Sequence, residues 1–119
     1  MDALYEKHLR AGLPRWETAK GPWMEMWAQR TIDHYTLIQP SVGLHVIEGI
    51  YAQNGDAFDG GPGPSGLPEV FMTNVLVFGR DAFRVDIVGH WLGGHEPGNF
   101  GLFHLAKERG VSTALNPGN

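Results

Sequence analysis

The spacing of apolar residues predicts five elements, which follow a weakly periodic N-terminal helix within residues 1–20. The first of the five is a helix from about Gly21 to Gln39, because apolar side chains recur there every three or four residues and proline suits a first helical turn. Pro40 ends it. Its stripe, predicted to pack into the core, consists of Met24, Trp27, Thr31, Tyr35 and Ile38.

Two strands are predicted next, on either side of a glycine-rich loop. The first runs from about Gly43 to Ile50, where β-branched and aromatic residues are frequent. The second, Val70 to Phe78, is apolar at nearly every position. Such a run is typical of a strand that is buried on both faces.

Two further helices complete the pattern. Asp81 is placed to cap the first, which ends at Gly93 and Gly94. Pro97 opens the last helix, and Gly110 ends it; its predicted inward residues are Leu102, Phe103, Leu105 and Ala106. The order predicts an α/β fold, in which a small sheet with flanking helices forms part of a larger α/β domain.

The loop between the strands, residues 55–66, reads GDAFDGGPGPSG. Neither side of it has enough residues for a full core, so we interpret it as a shaped loop of one domain and not as a linker. The predicted organisation is an N-terminal helical arm (1–20), a single α/β domain (21–113) and a tail (114–119).

Composition excludes several classes of protein. The net charge is −4 and the nine lysines and arginines are scattered, which argues against a nucleic-acid partner. No stretch is long and apolar enough for a membrane helix, and the N-terminus does not resemble a signal peptide, so we expect a soluble chain and leave its compartment open. The chain has no cysteine, so an iron–sulfur cluster on thiolates is excluded and a metal would bind to oxygen or imidazole.

Asp86 and His90 are the predicted catalytic residues, although whether the chain is an enzyme is left open. Positions i and i+4 share a helix face, and a carboxylate raises the basicity of an imidazole that it contacts. The alternative is a structural hydrogen bond. His90 and His95, beside a sharp glycine turn, are also the predicted ligands of a divalent metal.

Four carboxylates are candidate ligand-binding residues. Asp56 and Asp59 lie in the glycine loop and could offer oxygen ligands to a cation. Glu48 and Asp81 would share a sheet edge if the two strands were parallel, whereas antiparallel strands would separate them. The alternatives are a solvated strand end for Glu48 and a helix cap for Asp81.

The segment from Val42 to Pro97 also resembles the family called domain of unknown function 362. The matching stretches are IEGI at 47–50, glycines and prolines between 61 and 68, VDIVG at 85–89, and AKERG at 106–110, together with Gly79, Asp81 and Pro97. Glu48 stands where that family has aspartate, and Ala82 where it has proline. The resemblance covers roughly residues 23–113 and implies the C-terminal part of a longer protein, in a context of redox or cofactor metabolism.

Two functions follow from these observations. The first is a polar small-molecule or metal site that has the glycine loop as one wall and Glu48, Asp56, Asp86 and His90 as polar residues. The second is a structural or assembly half-domain without a site of its own. Its sheet would be completed by a missing N-terminal half or by another copy of the chain.

Overall fold

The structure is a computed structural model that describes residues 10–12, 21–55 and 60–112. It is a mixed α/β arrangement with a small two-stranded antiparallel sheet and three helices, as the sequence predicts. The elements in chain order are α1 (Gly21–Ile38), β1 (His45–Asn54), β2 (Glu69–Gly79), α2 (Ala82–Leu92) and α3 (Gly101–Glu108). The predicted N-terminal arm, apart from residues 10–12, and the tail lie outside the described residues.

The sheet pairs β1 with β2 from His45 opposite Gly79 to Asn54 opposite Glu69. Its register shifts once, between Gly49 and Tyr51. One residue lies between these two on β1, whereas two residues lie between their partners Val75 and Met72 on β2. This bulge includes Asn74, whose φ of 52° is left-handed. Asparagine adopts that conformation more readily than most residues, which suits it to this position.

Two expectations for the strands are wrong. The first strand extends to Asn54 and not to Ile50, so Glu48 lies inside it and not at its end. The second strand is not buried on both faces: burial alternates from Val75 to Gly79, and Leu76 and Phe78 are exposed. The helices cover one face of the sheet, and the described residues supply no second layer.

The core lies among the three helices. It consists of Ala28 and Ile32 of α1, Phe83 and Ile87 of α2, and Leu102, Phe103, Leu105 and Ala106 of α3. The inward residues predicted for the last helix are therefore confirmed. The end of α3 is tied to α1 by Arg109, whose Nη2 lies 2.6 Å from Oδ1 of Asp33.

The predicted core stripe of α1 is wrong. Ala28 and Ile32, one turn apart, are its fully buried apolar side chains, whereas Trp27 and Ile38 are exposed. Tyr35 is the stripe residue that packs against the core. The short side chain of Ala28 allows the neighbouring helix to approach closely. A prediction that counts only large apolar residues does not include such a position.

Candidate functional site

An open cleft of about 840 Å³ lies at the base of the glycine loop. One wall is the end of β1 and the start of the loop, and the other is the C-terminal end of α2 and the turn that follows. Phe71 and Thr73 of β2 contribute the remaining lining. The complete lining is Ala52, Gln53, Asn54, Gly55, Phe71, Thr73, Leu92, Gly93 and His95.

The described base of the loop has a defined shape. The Gly61 amide donates to the Gly66 carbonyl at 2.8 Å, and the Gly63 amide donates to the Leu67 carbonyl at 2.9 Å. A Cβ atom on Gly55 would lie 2.6 Å from the Cα of Gly61, so the start of the loop meets its middle in a contact that only glycine allows. The loop tip, with the predicted ligands Asp56 and Asp59, lies outside the described residues.

His95 connects the cleft to a group of aromatic rings. Its ring centroid lies 4.9 Å from that of His90. The His90 ring in turn stacks on Phe100 at 4.8 Å and meets Phe103 edge-on at 5.5 Å. Burial lowers the pKa of His90, and the neighbouring His95 lowers it further. Both effects favour the neutral form of the His90 ring.

Asp86 and His90 have different neighbours, although one helical turn separates them. Asp86 is exposed on α2, yet the surrounding protein displaces part of its water and raises the pKa of its carboxyl group. The imidazole of His45 on β1 opposes that rise. The Nε2 atom of His45 is buried and has no hydrogen-bond partner among the described residues. Asp86 is thus associated with His45, and His90 with aromatic rings.

Glu48 and Asp81 both make local contacts. Because the strands are antiparallel, the parallel edge that would unite these two residues does not exist. An Oε1 atom of Glu48 accepts a hydrogen bond from the Ile50 amide at 2.7 Å, opposite the bulge. Asp81 caps α2 by accepting from the Arg84 amide at 3.1 Å, as its position in the sequence predicts.

Comparisons of the chain with protein-family models, with curated proteins and with solved structures found no match. The resemblance to the unknown-function family 362 stays a prediction. Among the described residues no helix is long and apolar enough to cross a membrane.

A metal site is not assembled in the described part of the chain. No group of three or more His, Asp or Glu side chains within residues 10–12, 21–55 and 60–112 could hold a metal ion. His90 and His95 form a pair, and a divalent metal bound to them stays a prediction. The absence of cysteine from the whole sequence rules out an iron–sulfur cluster held by thiolates.

Sequence reasoning identified His95 but missed the other polar side chains of the cleft, Gln53, Asn54 and Thr73. The sequence marks these residues in one way only: Gln53 and Asn54 directly precede the glycine loop, and Thr73 lies on the strand that follows it. Neutral amides and hydroxyls form no recognisable chemical motif, and their meeting depends on the antiparallel register that the sequence left open.

Proposed function

We propose that this chain is an assembly unit that associates with a second copy of itself through its sheet. The observation that supports this is the exposed sheet surface, which we define as six apolar side chains that are each 52–66% exposed. These are Val46 and Tyr51 of β1 and Val70, Met72, Leu76 and Phe78 of β2.

The sheet itself favours association. A two-stranded sheet is only marginally stable in water unless further strands or a packed layer support it. The helices supply such a layer on one side, where Ile47 reaches α2 at Gly89. On the other side, the paired residues Val46 and Phe78 are both exposed. Two pairs of this set, Val46 with Phe78 and Tyr51 with Met72, lie opposite each other on the two strands. Large exposed apolar patches are uncommon on monomeric proteins and mark interaction sites.

Charge and area point to a second copy as the occupant. Residues 45–54 and 70–79 together contain one carboxylate, that of Glu48, and no lysine or arginine. Two such surfaces related by a two-fold axis bring apolar side chains together without a large like-charge conflict. If each of the six side chains exposes roughly 100 Å², the surface offers about 600 Å² for burial. A standard interface buries about 800 Å² on each partner, which is a similar area.

The alternative function, a polar site formed by Glu48, Asp56, Asp86 and His90, has less support. Glu48 bonds to the backbone of its own strand, the pKa of Asp86 responds to His45 and not to His90, and His90 packs among aromatic rings. Asp56 lies outside the described residues. A role in redox or cofactor metabolism rests on the family resemblance and stays a prediction.

Sedimentation equilibrium of the full chain over a range of concentrations tests the proposal. We expect a reversible monomer–dimer equilibrium for the wild type. The double variant Leu76→Glu/Phe78→Glu should be monomeric throughout, because each new carboxylate would lose its hydration in the interface.

Leu37→Glu is the matched control. Leu37 of α1 is 79% exposed and lies outside the sheet, so this variant removes a similar apolar side chain and adds a similar charge elsewhere. It should dimerise as the wild type does. A wild type that stays monomeric, or a sheet variant that dimerises unchanged, would refute the proposal.

A further inference from the structure

We infer that the cleft at the base of the glycine loop binds a neutral, flat nitrogen heterocycle of about the size of a nucleoside. The cleft volume of about 840 Å³ lies within the range of roughly 300–1,000 Å³ that is usual for small-molecule sites. The lining combines an aromatic ring and an imidazole with uncharged polar groups. The inference concerns the helix-covered side of one copy and does not depend on self-association.

The cleft offers a surface on which a planar ring can stack. His95 lines the cleft, and its ring lies against that of His90, which is itself stacked on Phe100. Phe71 and Leu92 add exposed apolar surface to the same cleft. A planar ring placed against His95 would extend an existing series of aromatic rings and would cover apolar surface that now contacts water.

The cleft also offers hydrogen-bond donors and acceptors that suit a heterocycle. The side chains of Gln53 and Asn54 carry primary amides, each with a donor and an acceptor side by side. Such an amide pairs with adjacent donor and acceptor atoms on a heterocycle, as it does at the edge of adenine. Gln53 is held in place because its Nε2 atom donates to the Gly55 carbonyl at 3.1 Å. Thr73 is held by its hydrogen bond to the Gly49 carbonyl.

The charge of the cleft lining affects which ligands it can bind. Among the described residues, those that line the cleft include no Asp, Glu, Lys or Arg, so this part of the lining offers a charged ligand no partner of opposite sign. The C-terminal end of α2, at Leu92 and Gly93, also lines the cleft, and the negative end of a helix dipole disfavours anions. These features select a neutral ligand over a phosphorylated one.

Adenosine is the probe for the test, and amide NMR spectra of the full chain provide the measurement. We expect saturable shifts at the side-chain amides of Gln53 and Asn54. Ribose, which lacks the base, should cause none, and adenosine monophosphate should bind more weakly than adenosine. His95→Ala should weaken adenosine binding by about tenfold or more, because one stacking partner is lost.

Two further variants separate stacking from structural damage. His95→Phe retains a ring and should restore most of the affinity that His95→Ala loses. His34→Ala removes an exposed histidine of α1 outside the cleft and should leave binding unchanged. The absence of saturable shifts with adenosine, equal shifts with ribose, or unaltered affinity in His95→Ala would each overturn the inference.

Discussion

Gly61 shows how a single position fixes the shape of the loop. A Cβ atom there would lie 2.8 Å from the Asn54 carbonyl oxygen and 2.8 Å from the Cα of Pro68, and both are backbone atoms that cannot turn aside. We therefore expect Gly61→Ala to destabilise the fold by about 1–3 kcal/mol, the usual cost of overpacking. Urea unfolding followed by tryptophan fluorescence measures the change.

Gly43→Ala is the control for that substitution. Its added Cβ would meet nothing within 4 Å, and its backbone does not have a positive φ. Its unfolding free energy should equal that of the wild type or slightly exceed it, because alanine restricts the unfolded chain. Equal stability of the two variants would show that the loop base is not tightly packed.

The histidine pair gives a prediction on pH. Because burial and His95 lower the pKa of His90, the unfolded chain binds a proton at this residue more readily than the folded chain does. Stability should therefore fall as the pH drops through the ordinary histidine range near about 6.5. Asp86, whose pKa is raised, acts with the opposite sign at more acidic pH.

Urea unfolding at about pH 7.5 and about pH 5.5 measures the effect, since this interval brackets the ordinary histidine pKa. His90→Phe retains an aromatic ring beside Phe100 and should lose less stability over this interval than the wild type does. His34→Gln, a substitution of an exposed histidine, should behave as the wild type. An identical pH dependence in His90→Phe would contradict the assignment.

At the scale of elements, Asp81 has a structural role that the sequence correctly predicts. Its carboxylate accepts from the Arg84 amide at 3.1 Å and so caps α2. Asp81→Ala should cost about 1 kcal/mol of stability. Asp81→Asn should be nearly neutral, because an amide oxygen caps as well as a carboxylate does. Thermal unfolding of both variants measures this, and an equal loss in both would show that the charge matters and not the cap.

The elements also show what sequence patterns can and cannot reveal. Three of the four predicted helices, and both strands, are found at nearly the predicted positions. The remaining helix, predicted within residues 1–20, falls mostly outside the described residues. Apolar periodicity and strong local signals, such as Asp81 and Gly110, mark their bounds. Faces were harder to predict. The apolar run of β2 indicates burial on both sides, but the number of layers that cover a strand depends on tertiary structure, which a local pattern does not contain.

The candidate site was less predictable than the fold for the same reason. An i, i+4 rule can join Asp86 with His90, but it cannot reveal that His45, on another element, lowers the pKa of Asp86 against the effect of burial. Likewise, Asn54 and His95 line one cleft because the antiparallel register and the turn after α2 bring them together. Such contacts across the chain require the topology, which a single sequence leaves open.

At the scale of the whole molecule, the described residues form an unevenly covered structure. Three helices enclose one core, while the exposed sheet surface has no layer over it among the described residues. Association of two copies would cover that surface and support the two-stranded sheet. Stability should therefore rise with protein concentration, because a partner that binds only the folded chain stabilises it by mass action.

A concentration series of thermal unfolding checks this expectation. The midpoint of the wild type and of Leu37→Glu should rise with concentration, whereas that of Leu76→Glu/Phe78→Glu should not. A midpoint that is independent of concentration in all three proteins would mean that folding and association are not coupled.

The most direct measurement is an intermolecular distance between spin labels, which the cysteine-free sequence makes simple. Glu48 lies opposite Leu76, beside the exposed sheet surface, so a label on Glu48→Cys reports on that surface, and a label on Leu37→Cys reports on α1. Our account predicts a short distance between copies at position 48 and a longer one at position 37. No dipolar signal at position 48, or a shorter distance at position 37, would contradict association through the sheet.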